Sequence, residues 1–349
     1  MTPRERALAA MLGKPTDRPS CVPLVDTSYA AAVAGMAVSR CFLEPEAYAG
    51  ALVATLDRHP DIDGVSINIG LCDDVIQDLS RQGDTYHART VGGLTWSVPV
   101  NDIGSICACE VSAFDDPRFA TDEYLMNACL RTLAAIPAEY RRKYLINTTV
   151  TGPFSQVAFL VGVDNLMLGT VDDPAGLQRA IEHRVPFALD WVDRLVKLDP
   201  GCVWIGEGFA SNSLISTDTY VQFVQPYERR VIERIHEKGL ASVIHICGKL
   251  GRTLEAIADT GADCAEVDWQ VDLADARGRV CDRMTLKGNL NTTNLVQSSP
   301  DEVFALATAA LQASRGGRFI LSSGCCLGRD TPPESVDAMV RACKEFPAG

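Results

Sequence analysis

Three side chains set the first question: His245, Cys247 and Cys325. His245 and Cys247 are separated by one residue, so on an extended strand both point to the same face. An imidazole and a thiolate there can reach one ion. Cys325 follows Gly324 and precedes Cys326, in a loop that would supply a third soft ligand. His, Cys and Cys in tetrahedral geometry favour Zn²⁺ over a hard cation, and three protein ligands leave one position for a reacting group. The distance from Cys247 to Cys325 matches no zinc-finger spacing. The same residues read equally as a core histidine with buried thiols.

The elements that must position them alternate. Short β-branched runs are separated by long helical periods, the pattern of parallel βαβ units. The expected strands are Cys21–Val25, Gly64–Ile69, Leu145–Val150, Val203–Glu207, Ser242–Ile246, Cys264–Asp268, Met284–Asn289 and Arg318–Ser323. Expected helices include Pro45–Arg58, Glu123–Arg142, Pro174–Leu198, Thr219–Lys238, Leu250–Asp259, Pro300–Ala313 and Pro333–Glu345. Eight strands predict an α/β fold of the (β/α)8 TIM-barrel type, with an N-terminal helical extension. Neither GxGxxG nor GxxxxGK[ST] occurs, so a doubly wound sheet would lack its phosphate turn.

Barrel chemistry sits at the C-terminal strand ends. There the fourth strand supplies Glu207, the fifth His245 and Cys247, the sixth Asp268 and Trp269, the seventh Asn289, and the eighth Cys325 and Cys326. Residues 80–116 break the alternation. The segment HARTVGGLTWSVPV, with its Gly-Gly, predicts a β-hairpin inserted as a lid into a single domain spanning 1–349.

Composition narrows the partners. Lys plus Arg is 32 and Asp plus Glu is 45, a net charge of −13, which disfavours a nucleic-acid partner. No run of 18 apolar residues predicts a membrane span. The N-terminal segment leads into an amphipathic helix without the basic and apolar regions of a signal peptide. Thirteen cysteines then read as reduced thiols of a cytoplasmic protein.

Five segments carry a resemblance over nearly the whole chain. They are ERALAAMLGKPTDRPSCVPL at the start, TGPFSQVAFLVG at 151–162, VIHICG at 243–248, LKGNLN at 286–291 and SSGCCLGRDTPPESVDAMV at 322–340. In these the chain resembles the uroporphyrinogen decarboxylase superfamily. Within it, the chain is similar to the zinc-dependent corrinoid methyltransferases of the coenzyme M methyltransferase and O-demethylase type. His245, Cys247 and Cys325 match that branch's His-x-Cys and Gly-Cys motifs position by position, while Cys326 stands where the branch usually has Gly. The arginine-rich RQAGRY-like segment of true decarboxylases is missing: residues 21–40 read CVPLVDTSYAAAVAGMAVSR.

The resemblance implies a zinc-dependent methyltransferase. It would move a methyl group between a small methylated substrate, or a thiol acceptor, and the cobalt of a separate corrinoid protein. No DxHxxG cobalamin signature occurs in the chain, so the corrinoid is expected on a partner. Alternatives are a tetrapyrrole decarboxylase and a non-catalytic corrinoid-binding barrel. Glu207 is the expected fourth zinc ligand or general acid. Asp268 is expected to orient His245 or to bind substrate. Asn68, Asn147, Trp269, Asn289, Asn291 and Arg329 are the candidate substrate contacts. Each of these has an ordinary alternative as a satisfied core amide, turn residue, buried aromatic or solvated cation. His59 is expected as a cation at a helix end, and His87, His183 and His236 as surface residues.

Overall fold

The computed structural model describes residues 1–108, 111, 113–121 and 126–347. All eight expected barrel strands form. They are β1 (Ser20–Cys21), β2 (Gly64–Ile67), β7 (Leu145–Thr151), β8 (Cys202–Gly206), β9 (Ala241–Ile246), β10 (Cys264–Val267), β11 (Thr285–Leu290) and β12 (Phe319–Ser323). Between β2 and β7 lie β3 (Ile76–Gln82), β4 (Thr85–Thr90), β5 (Thr95–Pro99) and β6 (Ser105–Ala108).

The eight strands form one parallel sheet in the order β1-β12-β11-β10-β9-β8-β7-β2. Backbone bonds from Asp63 N to Cys21 O (2.7 Å) and from Ser66 N to Val25 O (3.1 Å) join the two ends, so the sheet closes. Helices cover the outside. Pro45–Arg58, Pro300–Ala313 and Pro333–Glu345 run as expected. Ser299 begins the second of these with a full capping box. Gly239 and Gly261 follow their helices with φ of 73° and 88°, the left-handed stop that glycine makes without strain.

At the N-terminal end of the barrel the helix Pro3–Met11 plugs the opening, with Ala7, Ala10 and Met11 packed on Val22, Cys264 and Ile320 of the interior. Thr285 Oγ1 donates to the carbonyls of Ala10 (3.1 Å) and Met11 (2.8 Å), tying the plug to β11. Below it, Asp63 is fully buried and takes Arg6 (2.6 Å), Arg18 (3.1 Å), Ser20 Oγ (2.9 Å) and Cys21 N (2.8 Å).

Several expectations are corrected. The insertion is a four-stranded antiparallel sheet, β3-β4-β5-β6, rather than a hairpin alone. The Gly-Gly turn does join β4 to β5, but β3 is polar and exposed along almost its whole length, so it shows no apolar alternation. Trp96 of β5 packs tilted against Phe42, ring centroids 5.7 Å apart, and anchors the sheet to the helix Val38–Leu43. Residues 109, 110 and 112 of the expected lid lie outside the described residues, as do 123–125 of the expected helix Glu123–Arg142. The rest of that helix is two, Asn127–Ala135 and Ala138–Lys143, split at Pro137. Thr219–Lys238 is likewise two, Thr217–Phe223 and Gln225–Glu237, broken at Val224 because Pro226 has no N–H to continue the ladder and its ring crowds the carbonyl four residues back. His59 is not a helix-end cation. It is buried, with Nε2 2.8 Å from Tyr29 Oη and Nδ1 2.7 Å from Asp337, and burial lowers its pKa.

Among the described residues no single helix is long and apolar enough to cross a membrane. One pair, Pro153–Val161 with Val163–Asp172, has the length and composition, but it bends by 110° and its first helix is almost wholly buried.

Candidate metal centre at the barrel mouth

The parity of β9 decides which of its residues enter the barrel. His245 lies on β9 opposite Gly206 of β8 and Glu266 of β10. Trp204 stacks on its ring at 4.9 Å and 23°, which holds the imidazole flat against the wall. Cys247 follows the strand end by one residue. Gly248 then turns away with φ of 97°, where any Cβ would lie 2.9 Å from Ser213 Oγ. Across the mouth, Gly324 packs so tightly on the next loop that a Cβ would sit 2.7 Å from Trp269 N. That close approach carries Cys325 over the opening.

The three ligand atoms meet. His245 Nε2 is 2.8 Å from Cys247 Sγ, and Cys247 Sγ is 3.6 Å from Cys325 Sγ. The three residues offer ligand atoms that all lie within 4.8 Å of one another. A tetrahedral site with Zn–S bonds of about 2.3 Å has an S–S edge of about 3.8 Å, close to the observed one.

The electrostatics agree with a cation-seeking site. Cys247 and Cys326 both donate towards Cys325, and His245 faces it, so the Cys325 thiol is held far below the usual range. Cys247 is pushed up, first by that donation and then by burial. Burial alone would lower His245, but Cys325 and Glu266 outweigh it and raise it to about 9. Two sulfurs and an imidazole nitrogen thus converge on one another, where a bound divalent ion would be shared among them. The donor set therefore fits zinc.

A buried network stands behind the imidazole. Glu266 Oε2 lies 3.3 Å from His245 Nδ1, not aligned as a hydrogen bond, and accepts from Trp204 Nε1 at 2.8 Å. Its other oxygen accepts from Lys287 Nζ, and both residues are almost fully buried. Burial would raise the Glu266 carboxyl, but Lys287 and His245 outweigh it and hold it at about 2. The sequence reading gave the His245 partner role to Asp268 and missed Glu266. The available signal was parity: Glu266 shares the face of Asp268, one step deeper on the same strand.

The other named residues divide. Glu207 is fully buried, yet it is not in the cluster. Its oxygens accept from Phe154 N (3.2 Å), Ser155 N (2.9 Å) and Ser155 Oγ (2.6 Å), so it caps the helix Pro153–Val161. Burial, opposed by Ser155, raises its carboxyl to about 7. Asp268 is buried and accepts from Gln270 N at 3.0 Å. Asn289 donates to the carbonyls of Asp268 (3.2 Å) and Val271 (2.7 Å) and so fixes the loop beside the cluster. Trp269 is 53% exposed on that loop rather than buried in a wall.

Asn68 is half-buried, with Nδ2 3.9 Å from Cys326 Sγ. Asn147 lies deeper, satisfied by Ser66 Oγ (3.1 Å) and the Cys202 thiol (3.0 Å). Asn291 caps the helix Thr292–Gln297 and serves its own backbone. Arg329 donates to Met36 O at 3.2 Å. Asp26, missed in the sequence, is buried beneath Cys326. It accepts from the Cys326 thiol and from Ser28 N (3.1 Å), and burial raises it to about 6.

Comparison with known proteins places this architecture. The chain belongs to the uroporphyrinogen decarboxylase (URO-D) family, whose model matches residues 2–346. It is 25% identical over 360 residues to the methylcobamide:CoM methyltransferase MtbA of Methanosarcina mazei, covering 99% of this chain and 98% of that one. It is 27% identical over 357 residues to a methylated-thiol–coenzyme M methyltransferase of the same organism, covering 99% and 90%. A uroporphyrinogen decarboxylase of Chromohalobacter salexigens is 33% identical over 181 residues, half of each chain. The solved structure of a methyltransferase from Methanosarcina mazei superposes over 100% of both chains with a TM-score of 0.81 at 20% identity, which establishes the shared fold.

Proposed function

We propose that this protein is a zinc-dependent, corrinoid-dependent methyltransferase. It moves a methyl group between a small methylated compound (a methoxy compound, thiol or amine) and the cobalt of a separate corrinoid protein. The observation that carries the reading is the convergence of His245, Cys247 and Cys325 at the barrel mouth. The full-length likeness to two curated methyltransferases supports it.

His245, Cys247 and Cys325 would hold the zinc, and Glu266 would orient His245 through Nδ1. Zinc bound there keeps a thiol as its thiolate, the nucleophilic form, or draws electron density from an ether oxygen. Positioning then supplies much of the rate, because the transfer is an in-line displacement between two held partners. Asn289 and Gly324 hold the loops that frame the reacting atoms. Trp269 offers a flat, exposed face where the corrinoid partner would approach, and the sheet β3–β6 covers one side of the mouth as a lid within one domain. The described cysteines are all free thiols, which suits a reducing cytoplasm.

The test is metal content of the purified protein beside the double variant His245→Ala, Cys247→Ala, followed by methyl transfer with a reduced corrinoid protein. About one zinc per chain in the parent, and neither zinc nor transfer in the folded variant, is the expected result. Transfer that survives loss of the metal would sink the mechanism. A tetrapyrrole decarboxylase is the second reading, favoured by the decarboxylases among the relatives. Decarboxylation by chelator-treated protein would select it.

A further inference from the structure

The charges around the mouth constrain what small molecule it takes. The loops directly following the eight barrel strands are 22–26, 68–75, 152, 207–216, 247–252, 268–272, 291 and 324–332. They contain seven acidic residues (Asp26, Asp73, Asp74, Glu207, Asp268, Asp272 and Asp330) and three basic ones (Lys249, Arg252 and Arg329). Every residue of these loops is described.

The acids come closest to the cluster. Asp26 is 1% exposed and ends the loop after β1, whose Leu24 carbonyl accepts from Leu327 N of the Cys325 loop at 3.0 Å. Asp268 is 7% exposed and lies on the loop that Gly324 touches. The bases face elsewhere. Arg329 reaches back to the Met36 carbonyl at 3.2 Å. Lys249 and Arg252 are exposed, and Lys249 lines a separate rim cavity of about 350 Å³ together with Asp272 and Asp275. Lys287, beneath the cluster, is bound to Glu266. Arg131 is taken up by Asp73 and Asp74. An anionic group brought beside the reacting sulfur would therefore meet the buried carboxylates Asp26 and Asp268, and among the described residues neither of these has an ion-pair partner.

We infer that the small molecule accepted at this mouth carries no anionic tail beside its sulfur, oxygen or nitrogen, and that Asp26 is the residue that rejects one. A neutral or cationic thiol, ether or amine fits. Coenzyme M, named for the relatives, is a thiol with a sulfonate tail and does not. The inference rests on the metal-centre reading above and refines it.

Three thiols that differ only in their tails test it: 2-mercaptoethanesulfonate, 2-mercaptoethanol and 2-mercaptoethylamine. Each is titrated at matched thiolate concentration into the Co²⁺-loaded full chain, and binding is read from the thiolate-to-cobalt absorption. The expected order places the sulfonate about tenfold or more weaker than the alcohol, and the amine at least as tight as the alcohol. Asp26→Asn should shrink the sulfonate-to-alcohol ratio about threefold or more. Asn still caps Ser28, so this variant keeps its helix start, and the parent series stands without it.

Tightest binding of the sulfonate would overturn the inference while leaving the metal centre intact. An unchanged ratio in Asp26→Asn would overturn the role of Asp26. Loss of sulfonate binding in Arg329→Gln alone would assign the tail to that cation instead, against the inference. Thiols that leave the cobalt spectrum unchanged would remove the inference but not the metal. A parent that takes up no Co²⁺ would remove both.

Discussion

The two ends of the barrel handle charge in opposite ways. At the N-terminal end the buried carboxylate is matched: Asp63 meets two guanidinium groups, a hydroxyl and a backbone N–H, and Asp17 takes a second face of Arg6. At the C-terminal end the polar groups converge without closing on one another. Cys247 Sγ lies 2.8 Å from His245 Nε2 and 3.6 Å from Cys325 Sγ, Asp26 and Asp268 are buried beside them, and Trp269 stays exposed. Both ends bury charge, which is costly unless paired. The lower end offsets that cost with partners in the chain. At the upper end Asp26 and Asp268 accept backbone hydrogen bonds, but among the described residues neither meets a guanidinium or ammonium group.

This contrast can be broken from either side. The largest effect is expected from Cys325→Ser, which should remove stoichiometric zinc while shifting the thermal midpoint little; metal analysis beside calorimetry checks both. Asp63→Ala should do the reverse. It leaves buried Arg6 with Asp17 alone and half-buried Arg18 without a carboxylate, a loss of about 3 kcal/mol, and zinc content per folded chain should not change. A metal defect in that variant would end the division of labour between the two ends.

Glu266→Gln is next. It keeps the contact with Trp204 but removes the charge facing His245, and zinc affinity should fall about 10–100-fold in a chelator competition.

Glu207→Gln probes a smaller effect through pH. The folded protein holds this proton up to about pH 7, whereas the unfolded chain releases it near 4.5. Stability from this group is therefore full below about 4.5 and is lost as pH rises through 7. Denaturant titrations across that window should show a flatter decline in the variant. Lys249→Ala, on an exposed side chain, should change stability by no more than about 0.5 kcal/mol.

Much of the fold was legible because it depends on local pattern. Eight β-branched runs separated by helical periods could hardly close any other way, and the two-residue offset of His245 and Cys247 told which face they share. What escaped depends on contacts between distant segments. Glu266 was passed over for Asp268 because the partner of an imidazole is set by register between two strands, and register is not written in either strand alone. Glu207 looked like a ligand at a strand end, but the free N–H groups at the start of the helix Pro153–Val161 claimed it. The polar strand β3 was invisible since both its faces meet solvent.

The N-terminal plug has a consequence for how the protein is made. Its bonds to Thr285 span 274 and 275 residues of chain. At a synthesis rate of about 5–20 residues per second, Ala7, Ala10 and Met11 wait roughly 15–55 s outside the ribosome before their partner strand exists. Through that interval the apolar face of the first helix has Val22, Leu24 and later Leu145 beside it but neither Cys264 nor Ile320. The barrel's last-made third therefore determines when its first-made segment comes to rest.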